Sequence, residues 1–161
     1  MRKEQKMNLT QPQMQTLKAL ALADVTAAGY IAAVDDIALA AWFNATTTHI
    51  VWRNSMTTQM SRSAIIAGAT QLDALTVGKR DSLLWLCSET LNPSDANVRA
   101  ALDDLCGTQT TLKTALQAAQ KRPATQAEKA LATGTGTTAS PATLVFDGNL
   151  SYGEASSVRV A

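Results

Sequence analysis

The sequence predicts a mainly α protein: a small helical bundle with an extended C-terminal arm that holds one or two short strands, near residues 49–53 and 143–150. Three observations lead there. Hydrophobic residues make up 46% of the 161-residue chain but aromatics only 4%, with alanine prominent. Alanine is the best helix former and a poor strand former, so such a core favours closely packed helices over a sandwich. Apolar residues recur at helical spacing through most of the chain, punctuated by capping residues. Between Lys121 and Leu150 the composition changes sharply, from charged residues to a Gly/Thr stretch and then to an isolated strand-like segment.

The elements follow in order. Thr10 and Gln13 form a T-x-x-Q capping box for a helix over 10–23, with Pro12 in the tolerant first turn and Met14, Leu17, Leu20 and Ala21 on one stripe. Gly29 breaks the pattern, and a second helix is expected from about Ala32 to Phe43, with Val34, Ala38, Ala41 and Trp42 on one face. Asp35 and Asp36 near its start suit the helix dipole. Thr46–Arg53 is the best strand in the first half, because β-branched and aromatic residues follow one another. Ser55 is expected to cap a helix to Ala67, and Gly68–Leu75 to form a loop with Leu72 and Leu75 turned to the core.

Thr76 is expected to cap a helix to Thr90, with Leu84, Cys87 and Leu91 on one stripe and Leu83 beside it. Ser94 is expected to cap the next, in which Val98, Ala101, Leu102, Leu105 and Cys106 give the cleanest apolar pattern, with Gly107 as the C′ glycine. Thr108 opens a helix through Leu112, Ala115, Leu116 and Ala119. Short connections imply antiparallel neighbours. Pro123 marks a break or the first turn of a short helix over 124–131, since a mid-helix proline costs about 3 kcal/mol. Leu144, Phe146 and Leu150 are the apolar positions of the last strand, and Ser151 and Glu154 form a capping box for a short terminal helix; a hairpin turned at Asp147-Gly148 is the alternative, disfavoured because few strand formers follow Gly148. An isolated strand must find backbone partners, either in the strand near Val51 or in a neighbouring subunit.

The domain organisation read from this pattern is a flexible N-terminal arm (1–9), a helical domain (10–132) and an interaction arm (133–161). MRKEQKMNLT has basic residues but lacks the apolar run of a secretory signal, and no apolar run approaches the ~20 residues of a membrane span. A net charge of +1 provides no field for sequence-independent nucleic-acid binding. Cys87 and Cys106 read as small core residues in a reducing compartment.

Catalytic chemistry finds no support. His49 is the only histidine and has no metal-ligand neighbours in sequence. Asp35–Asp36 and Asp103–Asp104 are adjacent pairs that diverge by about 100° on a helix. Gly134-Thr135-Gly136 lacks the Gly-Lys-Ser/Thr of a phosphate loop and follows a helix instead of preceding one. The expectation is therefore a protein that is not an enzyme and has no cofactor and no metal.

The stretch KRPATQAEKALATGTGTTASPATLVFDGNLSYGE resembles the C-terminal part of a family of small structural and neck proteins of tailed bacteriophages. The residues that carry the resemblance are Lys121-Arg122, Ala124-Thr125, Ala127-Glu128-Lys129, Ala132–Thr137 and Pro141–Ser151, together with Leu9–Leu22 and Val51–Ser55. Pro123 departs from the pattern, where a larger apolar residue is usual, and 61–116 is similar only in helical character. The resemblance implies a virion structural protein assembled in the host cytoplasm, foremost a head–tail connector (adaptor) whose homo-oligomeric ring docks to the portal and to an adjacent neck or tail protein. Tail-completion, minor capsid and non-virion chaperone roles are the alternatives. On this reading Leu144, Phe146 and Leu150 anchor an interaction arm hinged at Gly134 and Gly136. Lys79, Arg80, Lys121 and Arg122 are the basic residues that would face packaged double-stranded DNA or a neighbouring subunit, and no membrane is involved.

Overall fold

The structure, a computed structural model, describes residues 9–161, so the expected N-terminal arm lies outside the described residues except for Leu9, which packs on a core. The fold is mainly α, as the composition predicts: among the described residues there are ten helices and one two-stranded antiparallel sheet. The helices are α1 (Gln11–Ala23), α2 (Val25–Ala33), α3 (Asp36–Phe43), α4 (Thr58–Ala67), α5 (Ala69–Leu72), α6 (Val77–Leu86), α7 (Ala96–Cys106), α8 (Thr110–Ala119), α9 (Gln126–Leu131) and α10 (Tyr152–Val160). The strands are β1 (Thr46–Trp52) and β2 (Lys121–Thr125).

In place of one helical domain with an appended arm, the chain forms two compact units from interleaved segments. The first takes the described residues up to His49 with Pro123–Thr133 and Val145–Ala161, and the second takes Ile50–Arg122 with Gly134–Leu144. The expected arm is thereby divided, and both parts are built into folded units.

The first unit holds α1, α2, α3, α9 and α10. Gln13 Oε1 accepts the Thr10 backbone N–H at 2.8 Å, so α1 starts where the capping box predicts. The expected helix from Ala32 to Phe43 is corrected to two helices. Gly29 lies inside α2, since glycine in a helix costs only about 1 kcal/mol relative to alanine. The break falls at Val34, at φ +57°, followed by Asp35, whose carboxylate caps α3 by accepting from Ala38 N at 2.9 Å. This shifts the buried face. Leu39, Ala40 and Phe43 enter the core, whereas Val34 and Ala41 are exposed. The core joins Leu17, Leu39 and Phe43 to Phe146, Leu150 and Val158, so α10 and the chain leading to it complete the interior.

The second unit packs α4 to α8 around Met56, Ile65, Leu83, Leu102, Leu112 and Leu116. Thr57, not Ser55, caps α4, accepting from Met60 N at 3.3 Å. Gly68–Leu75 contains the short helix α5, with Leu72 and Leu75 against the core as expected. Thr76 caps α6 as expected, but α6 ends at Leu86 and leaves Leu84 exposed while Leu83 is fully buried. The strand-like bridge between Met56 and Leu91 draws the chain out of the helix. Asp95, not Ser94, caps α7, because Ser94 is held in a local turn by Asn92 Oδ1 at 2.6 Å from its hydroxyl. Gly68 has no room for a side chain: a Cβ there would stand 2.5 Å from Leu112 Cα, so glycine sets how closely the end of α4 approaches α8.

The strand prediction is half corrected. β1 is where the β-branched run places it, but its partner is Lys121–Thr125 and not 143–150. The short helix begins at Gln126, and Pro123 sits in a strand, where its missing N–H is tolerated at an edge. The segment after Pro141 makes one isolated parallel bridge, Ala142 to Val51, with Trp52 N donating to Ala142 O at 2.9 Å and Ala142 N to Ile50 O at 2.9 Å. Its burial nonetheless alternates: Ala142, Leu144 and Phe146 point in, and Thr143, Val145 and Asp147 point out.

Candidate interaction site

The proposed anchors Leu144, Phe146 and Leu150 are all buried within their own chain, Leu144 in the second unit and the other two in the core of the first. The expectation that they grip another protein is corrected accordingly: intramolecular burial already removes their apolar surface from water. Polar contacts lock the same segment. The Asn44 side chain brackets Leu150, donating from Nδ2 to its carbonyl at 2.8 Å and accepting its N–H on Oδ1 at 2.7 Å. Glu128, fully buried, accepts from Thr125 N at 2.9 Å through one oxygen and from Gly148 N at 2.9 Å through the other. Gly148 lies at φ +128°, where a side chain would be strained. Arg159 on α10 forks onto Asp36 of α3 at 2.7 and 3.2 Å, and this guanidinium holds the Asp36 carboxyl below its ordinary value.

The expected hinge glycines are fixed turns. Gly134 has φ +120°, and a Cβ there would lie 3.1 Å from Ala142 Cα. Gly136, at φ +67°, is buried, and its carbonyl accepts Ile50 N at 2.7 Å. Gly134 is glycine for close approach and backbone conformation and Gly136 for backbone conformation, which is the opposite of a swivel.

The four basic residues are all engaged inside the chain. Lys79 Nζ donates to the Asp104 carbonyl at 2.6 Å and pairs with its carboxylate at 3.3 Å. Arg80 lies 3.9 Å from Asp73 and 3.7 Å from Asp81. Lys121 donates to the Thr138 carbonyl at 3.0 Å and sits 5.2 Å from the Trp52 ring, which Arg99 also covers at 4.4 Å. Arg122 has interactions within the chain as well. The carboxylates beside Lys79 and Arg80 cancel much of the positive field that DNA contact would require.

His49 Nε2 is buried with no hydrogen-bond partner, and among the described residues no group of three or more His, Cys, Asp or Glu is placed to hold a metal. Cys87 and Cys106 are buried free thiols in one core. Burial, and then the neighbouring Cys106, pushes the Cys87 thiol up to about 11; burial, and then Asp103, raises that of Cys106. No single described helix is long and apolar enough to cross a membrane; α1 and α2 reach that composition only together, across a bend of 111°.

The second unit has an open groove of about 570 Å³ between α4 and α8. Met60, Ala64 and Ala67 line it from α4 at helical spacing, and Ala115 and Ala119 from α8. Thr57, Gln59 and Ser63 add hydroxyl and amide groups, and Arg53 adds the single charge among the lining residues. Arg53 Nε donates to the Lys121 carbonyl at 3.1 Å, which fixes the guanidinium. The sequence reading takes Ala115 and Ala119 as core stripe and assigns no role to Arg53. No family model, no curated protein and no solved structure matches this chain.

Proposed function

We propose that the chain is a virion structural protein of a tailed bacteriophage, a head–tail connector whose copies form a ring docked to the portal, and that it acts by binding and not by catalysis. The observation that carries this reading is the resemblance over Lys121–Ser151. Its support is that the residues of that pattern have defined structural tasks. Thr125 and Glu128 cap α9 and hold Gly148, Gly134 and Gly136 make the turns, and Ala142 pairs beside Val51. A pattern made of capping residues, positive-φ glycines and buried apolar positions specifies a fold, and a fold can be shared without shared chemistry.

The surface for neighbours then lies outside the buried anchors. Mass spectrometry of purified particles, with cross-linking to the portal, tests the reading. The chain is expected in mature particles, in many copies and cross-linked to portal. Presence in infected cells with absence from particles overturns it in favour of an assembly chaperone. Salt-titrated binding to double-stranded DNA tests separately whether Lys79, Arg80, Lys121 and Arg122 contribute a DNA contact.

A further inference from the structure

We propose that Arg99 and Lys121, held over the Trp52 ring in the second unit, form a binding site for a phosphate dianion, either inorganic phosphate or the terminal group of a small phosphomonoester. All three residues belong to that unit. The inference goes beyond the phage reading and does not depend on it. Arg99 Cζ lies 4.4 Å and Lys121 Nζ 5.2 Å from the ring centre, so the two cations are closer together than the Debye length of about 10 Å at 0.1 M salt. The ring attracts each of them through its quadrupole but cancels neither charge. Among the described residues, no carboxylate lies within ion-pair distance of either cation. The two acids one turn away along α7 are engaged elsewhere: Asp95 accepts from Asn97 N at 2.8 Å, and Asp103 meets Lys113 at 3.1 Å and Gln117 at 3.0 Å.

The unused donors set the class of occupant. Arg99 Nη1 donates to the Pro93 and Ser94 carbonyls at 2.7 and 2.9 Å, which orients the guanidinium. Its Nε and Nη2 make no hydrogen bond to another described residue, which leaves open the edge that grips two oxygens of one anion. Lys121 Nζ gives one of its donors to the Thr138 carbonyl at 3.0 Å and keeps the others. Arg99, Lys121 and Trp52 are all partly buried, so less water screens the pair than at an open surface. Two positive charges with donors to spare match a phosphomonoester or free phosphate, which carries nearly two negative charges on its free oxygens. A carboxylate or a phosphodiester carries one and leaves the second cation uncompensated.

The test follows the Arg99 Nε–H and Trp52 indole N–H signals of the full chain by proton–nitrogen NMR as sodium phosphate is added at pH 8, with ionic strength held constant by sodium chloride. Both signals are expected to shift and to saturate, with half-saturation at about 1 mM. Methyl phosphate is expected to bind within about threefold of inorganic phosphate, and dimethyl phosphate, a singly charged diester, about tenfold more weakly or worse. Arg99→Lys, which keeps the charge and loses the open edge, is expected to weaken phosphate by about tenfold. Lys121→Gln is expected to do the same, and it leaves the Arg99 bonds to Pro93 and Ser94 in place, which guards against a local folding defect in the first variant. Lys79→Gln, whose cation already has Asp104, is expected to leave binding unchanged. Shifts that do not saturate, or affinity unchanged in both site variants, overturn the proposal. So does dimethyl phosphate binding as well as methyl phosphate, which would make the site a contact for a nucleic-acid backbone. Binding of inorganic phosphate without methyl phosphate supports the site and assigns it to the free ion. Any of these results leaves the particle-composition test of the overall reading untouched, so the two can fail separately.

Discussion

Truncation after Leu144 removes α10 and its approach segment while leaving every residue of the second unit in place. In the first unit it removes Phe146, Leu150, Ala155 and Val158 from the core. Three of these are large, and burying each contributes about 1.5–3 kcal/mol, so the loss is roughly 5–9 kcal/mol before polar contacts are considered. The Leu150 bracket on Asn44, the Gly148 bond to Glu128 and the Arg159–Asp36 pair go too, and the Glu128 carboxylate loses a donor while still buried. A loss of that size matches the whole stability of a typical domain, about 5–15 kcal/mol.

The expected outcome is that amides of α1–α3 lose hydrogen-exchange protection while those of α4, α7 and α8 keep theirs. Leu150→Ala in the full chain is the graded version, expected to cost about 2–5 kcal/mol in urea unfolding. If the truncated chain keeps α1–α3 protected and loses only binding to a partner, Phe146 and Leu150 are attachment residues after all, and the reasoning from their burial fails.

Other perturbations probe separate features. Gly68→Ala is expected to cost about 1–3 kcal/mol by urea unfolding, because its Cβ meets Leu112 backbone that cannot rotate away. Val34→Gly is expected to stabilise the chain by up to about 1 kcal/mol in thermal unfolding, since a β-branched residue at φ +57° is strained. The Asp36 carboxyl is lowered by Arg159, so its contribution is full above the unfolded carboxylate value and fades as pH falls through the folded one; Asp36→Asn should flatten the stability loss below about pH 4. Cys87, pushed up to about 11 and buried, is expected to resist a thiol reagent such as 5,5′-dithiobis(2-nitrobenzoate) at pH 8 until the chain is unfolded.

Local rules recovered what depends on local sequence. Thr10, Thr76 and Ser151 start helices where their spacing to Gln13, the apolar run or Glu154 places them, and the β-branched run made β1. The misses share a cause. Ser94 and Asp95 are equivalent as caps until Asn92 binds the Ser94 hydroxyl. Leu83 and Leu84 are equally apolar until the packing of α6 selects one. The groove was illegible because alanine fits a close helix contact and an open gap alike, and only the positions of α4 and α8 distinguish them.

The stretch from Lys121 to Leu150 divides what each level decides. By itself the sequence determined that it is not continuous helix, that glycines punctuate it, that Leu144, Phe146 and Leu150 are its apolar positions and that a capped helix follows. Those are properties of residues within a few positions of one another. Only the tertiary structure decided that Lys121–Thr125 is the partner of β1, that Glu128 reaches Gly148 and that Asn44 holds Leu150 across 106 positions. An apolar residue in an extended segment looks the same in sequence whether it will bury in its own chain or in a neighbour. What decides is whether the rest of the chain leaves a space that it fills, and here Leu17, Leu39 and Phe43 leave one.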